Sequence, residues 1–345
     1  MPVSCFAWLC SFLHNVNKTS QSKTSNRKNM QMTTQESARH VMRCLELAIL
    51  LEAGAHKPGN VSVLANFEKT RYEHFLASAV AAASSFESGA RRGIAVHKGK
   101  MKIADVGVGN IIKNCVADIE AWQHGGNTLL GTVILLSPMA VAAGMTLAEG
   151  SFNVGSFRKN LKLVVESTTP VDAVNLYAAI EIANPSGLGK TPDLDLNDPT
   201  SAKRILDEKI SLYRVFKIAE GYDTICSEWV NNYHLTFDLA TPSLHKHLRN
   251  TANPSAAIVQ TFLEVLAEVP DTFIARKTGI EKAREISVKA REIVKLGGVE
   301  TSVGRRTLDE FDQELRKSSN LLNPGTTADI IAAALAVCIL NGYRP

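Results

Sequence analysis

Residues 125–148 carry no charged side chain, and this one stretch limits the folds open to the rest of the chain. It is long enough to cross a bilayer. Gly131, Ser137, Pro138 and Gly144 interrupt it, however, and no aromatic belt, lysine cluster or second apolar run accompanies it. A helix that is hydrophobic all round fits the centre of a large protein equally well. The reading is a buried central helix with no membrane partner, and it requires enough other helices to enclose it.

Those helices are legible by period. Thr33-Thr34-Gln35-Glu36 has the form of a capping box, followed at helical spacing by Ala38, Val41, Leu45, Ala48 and Ile49. Thr70-Arg71-Tyr72-Glu73 predicts a second helix that stops near Gly89, and Ile111 to Trp122 marks a third. Thr169-Pro170-Val171-Asp172 predicts a helix that ends at Asn184-Pro185. Residues 184–200 follow as the longest loop. Helical patterns resume at 202–232, 254–268, 279–296, 305–317 and 327–341, with 235–252 as a flexible crossing. No segment alternates with period two. The expected fold is all-α, a single multi-helix domain over 36–345.

With 45% hydrophobic and 21% charged residues the chain can bury a large core. A net charge of +4 with 6% aromatics argues against nucleic acid as the main partner. The six cysteines have no paired spacing, which suits a reducing, cytoplasmic setting and offers no zinc site. Residues 1–35 stand apart, with no acid before Gln35 and four basic residues. They read as a disordered extension, or as a mitochondrial targeting segment through 1–30.

Two glycine motifs fail their own tests. Gly187-Leu188-Gly189-Lys190-Thr191 would need glycine at Asn184, a strand before it and a helix after it to be a P-loop. Gly107-Val108-Gly109-Asn110 is too short for a dinucleotide fingerprint. His56 and His74 lack the spacing of a metal pair.

Four loop-to-helix junctions carry more. The first, 52–61, places Glu52, His56 and Lys57 around Gly54, Pro58, Gly59 and Asn60. The others are Gly125-Gly126-Asn127-Thr128, the run from Asp271-Thr272 to Arg276-Lys277, and Asn323-Pro324-Gly325-Thr326-Thr327-Ala328-Asp329. Each combines small residues with polar groups, and helix starts favour anions. Plain capping by Asn323, Thr326 or Thr327 is the simpler reading of any one junction.

Taken in order, Glu52 with Lys57-Pro58-Gly59, Asn127-Thr128, Asp271-Thr272 with Arg276, and Pro324-Gly325 with Ala328-Asp329 resemble the motifs of the triphosphoribosyl-dephospho-coenzyme A synthase family. The match spans most of the globular part. Citrate-lyase members continue with His-Lys-Gly where Leu129-Leu130-Gly131 stands here, so the chain looks more like the archaeal-type branch. The resemblance implies an all-α pentosyltransferase joining the ribose C1 of ATP to the 2′-hydroxyl of 3′-dephospho-coenzyme A, or a related coenzyme A-like acceptor, with loss of adenine. It implies Asp271, Asp329 and Glu52 as catalytic carboxylates and Mg²⁺ ligands. Lys57, Gly59, Asn60, Asn127, Thr128, Thr272, Arg276, Lys277, Gly325 and Thr326 would hold the nucleotide. The alternative is a nucleotide-binding or regulatory protein of the same fold that has lost the transfer.

Overall fold

The computed structural model describes residues 32–185 and 193–345. The glycine-lysine motif at 187–191 and nearly all of the leader lie outside the described residues. In chain order the helices are α1 (Thr34–Gly54), α2 (Tyr72–His97), α3 (Val108–Trp122), α4 (Leu130–Glu149), α5 (Val154–Glu166), α6 (Pro170–Ala183) and α7 (Ser201–Asp207). Then come α8 (Leu212–Ala219), α9 (Thr224–Val230), a π-turn (Leu235–Ala240), α10 (Thr241–Asn250) and α11 (Pro254–Glu268). The last four are α12 (Thr272–Thr278), α13 (Ile280–Lys295), α14 (Ser302–Arg316) and α15 (Gly325–Leu340). Among the described residues the only β pairing is one isolated bridge, Ser62 to Ala65. The all-α expectation holds.

The uncharged stretch is α4, and every residue from Thr132 to Leu147 is buried. It is long and apolar enough to cross a membrane by composition, but here α1, α2, α3, α5, α9 and α15 surround it. Two glycines let α2 and α4 approach to backbone contact. A Cβ on Gly93 would lie 1.9 Å from the Val141 carbonyl oxygen, and one on Gly144 would lie 2.1 Å from that of Ala90. Pro138, inside α4, has no N–H for the carbonyl of Ile134. The Trp229 indole N–H of α9 donates to that carbonyl at 3.2 Å, and the Tyr233 hydroxyl donates to Leu135 O at 3.1 Å. A polar gap in the core helix is thereby closed by its neighbour.

Several elements differ from the sequence reading. Thr70 does not cap α2, because its hydroxyl donates to Gly125 O at 2.8 Å; Arg71 holds the cap position. The helix also runs through Gly89 to His97, since Gly89 and Gly93 face α4 rather than a turn. The pattern at 202–232 is three short helices, with Ser211 and Asp223 capping the second and third. Residues 235–250 of this stretch are helical, not a crossing: buried Glu228 accepts from Leu235 N, Thr236 N and the Thr236 hydroxyl and folds the chain into the π-turn. Helices α5 and α12 have no counterpart in the periodicity; Asn153 and Asp271 cap them. Gly107-Val108-Gly109-Asn110 is a helix start, with Gly109 N donating to Asp172 Oδ1 at 2.8 Å.

Candidate active site

Helix α1 ends in Glu52-Ala53-Gly54, and the chain turns back beneath it. Lys57 is 1% exposed. Its ammonium meets Glu52 Oε1 at 3.0 Å and donates to the carbonyls of Ala55, at 3.0 Å, and Glu52. An ammonium has three protons, and these contacts use them. Lys57 therefore stands behind Glu52 and makes no phosphate contact, contrary to the expectation for this residue. Gly59 also faces inward, donating to Asp312 Oδ1 at 2.7 Å and packing on Leu315 and Pro324. Asn60, next in the turn, does face open space, in a cavity shared with the other junctions.

The start of α4 meets the start of α15. Asn127 Oδ1 accepts from Leu130 N at 3.1 Å, and the Thr128 hydroxyl pairs with that of Ser78 at 2.7 Å. The Thr132 hydroxyl donates to Asp329 Oδ1 at 2.6 Å. Gly131 makes room for the other oxygen: a Cβ there would lie 2.0 Å from Asp329 Oδ2. Burial pushes the Asp329 carboxyl up to about 8, with Glu52 and Asp271 adding to the rise and Thr132 and Arg276 opposing it.

Asp271 occupies a different environment. Its Oδ1 accepts from Phe273 N at 2.9 Å and Ile274 N at 3.1 Å, as an N-cap does. Its Oδ2 accepts from Thr327 N at 2.7 Å and the Thr327 hydroxyl at 2.8 Å. Burial raises its pKa and all four of these bonds oppose the rise. The carboxylate joins the starts of α12 and α15. We expect Asp271→Ala to lower unfolding free energy by about 3–5 kcal/mol in urea titrations, since it leaves buried donors unpaired.

One turn along α12, the Arg276 guanidinium pairs with Asp223 and lies 5.5 Å from the Phe273 ring centroid. Lys277 donates to Asn320 O at 2.6 Å, with its ammonium 3.6 Å from the Phe273 centroid. Burial lowers its pKa to about 8. The Thr272 hydroxyl donates to that of Thr326 at 3.3 Å.

All four junctions open on one cavity of about 540 Å³. Glu52, Asn60, Asn127 and Thr128 contribute to its lining from the first two junctions, and Arg276, Gly325, Thr326 and Asp329 from the others. Lys57, Gly59, Asp271, Thr272 and Lys277 are not among the lining residues.

The family model for CitG, described as ATP:dephospho-CoA triphosphoribosyl transferase, matches residues 38–345. The chain belongs to the CitG family. A Klebsiella pneumoniae 2-(5''-triphosphoribosyl)-3'-dephosphocoenzyme-A synthase is 29% identical over 27% of this chain and 30% of its own length. A Pseudomonas savastanoi pv. phaseolicola protein, provisionally given the same name, is 28% identical over 31% of this chain and 35% of its own length. The alignments thus span about a third of these curated relatives. An Archaeoglobus fulgidus crystal structure, provisionally named triphosphoribosyl-dephospho-coA synthase, shares the fold with a TM-score of 0.56 at 21% identity. It covers 78% of this chain and is itself covered completely.

In this CitG-family chain the cavity has two characters. The junction residues give it a polar end. Leu176 and Ile180 of α6, with Leu194, Phe216 and Tyr222 from the segment that leads on to α9, give it an apolar one. Three polar residues at the cavity had no sequence signal strong enough to single them out. Lys69 is an exposed lining ammonium in an irregular loop; Asp223 reads only as a cap for α9; Thr132 sits inside the apolar run. Among the described residues no group of three or more His, Cys, Asp or Glu is placed to hold a metal ion. Glu52, Asp271 and Asp329 do not form the expected Mg²⁺ ligand set, because the Asp271 oxygens are already bonded to the two helix starts.

Proposed function

We propose that this chain moves the triphosphoribosyl group of ATP from adenine to an alcohol acceptor, the 2′-hydroxyl of 3′-dephospho-CoA or a related compound. The bond from ribose C1 to the adenine nitrogen breaks, and a bond from C1 to the acceptor oxygen forms. The proton leaving the acceptor hydroxyl ends on the departing adenine, so no further reactant is required.

The observation that carries this reading is a pair of unlike carboxyls on one cavity. Glu52 is ion-paired with Lys57 and presents an anion. Asp329, with burial raising its pKa to about 8, holds a proton at neutral pH. Loss of a base from ribose passes through an oxocarbenium-like state, which needs a carboxylate near C1 and an acid at the leaving group. Glu52 stabilises the developing cation. Asp329 gives its proton to adenine and then recovers one from the acceptor hydroxyl, a general acid that becomes the base. Arg276, Lys69 and the one backbone N–H of the first turn of α15 that no described residue takes up, that of Thr326, bind the triphosphate. Mg²⁺ takes no assigned protein site and accompanies the phosphates. The apolar end receives the acceptor.

The test is incubation of the full chain with MgATP and 3′-dephospho-CoA, following free adenine by chromatography and the conjugate by mass. Adenine release that depends on an acceptor supports transfer. ATP binding without adenine release, across a panel of coenzyme A-like alcohols, assigns the chain to nucleotide binding alone.

A further inference from the structure

One hydroxyl of α4 sends its proton away from its own helix. Ser137 and Thr146 donate to the carbonyls four residues back, Val133 O at 2.7 Å and Ala142 O at 2.8 Å, as hydroxyls inside helices do. Thr132 stands in the first turn. The carbonyl four residues before it belongs to Thr128, outside the helix, whose first backbone bond runs from Val133 N to Leu129 O at 2.8 Å. The Thr132 proton goes to Asp329 Oδ1 instead, at 2.6 Å. Thr132 is buried, so solvent offers that proton little competition.

The two oxygens of Asp329 therefore differ. Oδ1 is engaged by Thr132. Oδ2 accepts no hydrogen bond from a described residue, yet it is not one of the unpaired side-chain atoms sealed from solvent. It lies over the bare backbone of Gly131, where a Cβ would stand 2.0 Å away, and Gly131, Thr132 and Asp329 all line the cavity. Oδ2 is the oxygen that a ligand can reach. A neutral carboxyl carries one proton. Placed on Oδ1, it would make the Thr132 hydroxyl an acceptor and leave that hydroxyl's own proton buried without a partner, which is costly. With Oδ1 held as an acceptor, the proton sits on Oδ2.

We propose that Thr132 is a positioning residue for the transfer, holding Oδ1 of Asp329 so that the opposite oxygen, facing the cavity, delivers the proton. This rests on Asp329 being the general acid, as proposed above. The same bond acts again once the proton has left, when Oδ1 of the new carboxylate accepts a charge-assisted hydrogen bond from Thr132. Burial raises the Asp329 pKa, and the charged groups facing it are Glu52 from α1, and Asp271 and Arg276 from α12; Thr132 and Arg276 lower it. A hydrogen bond to the charged form favours that form. Without the hydroxyl the acid is weaker, and its proton has two oxygens to occupy.

The experiment compares the full-length wild type with Thr132→Val, which keeps the shape and loses the hydroxyl, and with Thr132→Ser, which keeps the hydroxyl. Adenine release with MgATP and 3′-dephospho-CoA, followed from about pH 6 to 9.5, gives kcat and KM. Carbon-13 NMR of aspartate-labelled protein gives the titration midpoint of the Asp329 carboxyl, assigned by its absence in Asp329→Asn. In Thr132→Val, kcat should fall about 10- to 100-fold, the range for a hydrogen bond to a charged group, with KM for ATP within about threefold. The alkaline limb of kcat and the carboxyl midpoint should both move to higher pH. Thr132→Ser should recover most of the rate and the wild-type midpoint, and Thr132→Ala repeats the comparison should the valine variant fail to fold. A valine variant with wild-type kcat, a lowered kcat with the midpoint unmoved, or a serine variant as impaired as the valine one would each overturn the inference. Failure of the transfer reading looks different: the wild type then releases no adenine. In that case a midpoint that rises in Thr132→Val still supports the hold of Thr132 on Asp329, and one that stays put overturns it.

Discussion

Asp329→Asn lowers adenine release by about 10²- to 10⁴-fold, the usual loss when a general acid is removed, and leaves ATP binding nearly unchanged. The substitution is close to isosteric. Asn retains an oxygen for the Thr132 hydroxyl, and the second group still lies over Gly131, where no side chain opposes it. Because the wild-type carboxyl is already neutral near pH 7, little charge is lost from the fold. The pH dependence distinguishes this role from a structural one. Activity should decline as pH rises through about 8, where Asp329 gives up its proton. Stability provides a second readout. With its pKa raised from 3.8 to about 8, folded Asp329 keeps a proton across a window in which the unfolded chain has lost it. The native state binds more protons there, so this group's contribution to stability falls as pH rises from about 4 to 8, and is flat above. Urea midpoints at pH 5, 6.5 and 8 should show a shallower decline in Asp329→Asn than in the wild type. Unchanged adenine release, or matching pH slopes in both proteins, would remove Asp329 from the mechanism.

Gly93→Val should all but abolish folding, with a loss of about 4 kcal/mol or more. The helix crossing of α2 on α4 has no room for a Cβ, since the obstacle at 1.9 Å is backbone and not the movable end of a side chain. To accept a valine the two helices would have to separate, opening space along a core packed to crystal-like density. Gly99 supplies the control. It has a positive φ of 67°, and nothing lies within 4 Å of where a methyl group would stand. Alanine there should cost only about 1 kcal/mol of left-handed backbone strain. Expression in the soluble fraction and thermal midpoints compare the two directly. A Gly93→Val protein that melts within a few degrees of wild type would contradict so close a crossing.

The helical class and the four junctions were legible because their signals are local. Apolar residues at helical spacing, a proline after a threonine, and glycine beside asparagine each act within a few residues of where they stand. The division of labour among the polar residues was not legible. Asp271 has the appearance of a catalytic carboxylate in the motif, but Phe273, Ile274 and Thr327 engage it. Lys57 has the appearance of a phosphate ligand, but Glu52 and two carbonyls hold it. Which partner a charge finds depends on a crossing of helices far apart in sequence. Gly131 shows the same limit in reverse. It reads as an interruption of an apolar run, and only the arrival of Asp329 from α15 reveals it as space reserved for a carboxyl.

Pro138 has a consequence for how the cavity can move. The carbonyl it leaves open is completed by Trp229 of α9, the short helix that begins just after Asp223. That makes the proline a keyhole and the indole its key: α9 can seat on the core in one register, and any slide strands a carbonyl in an apolar interior. The wall bearing Asp223 is thus indexed to the middle of the protein.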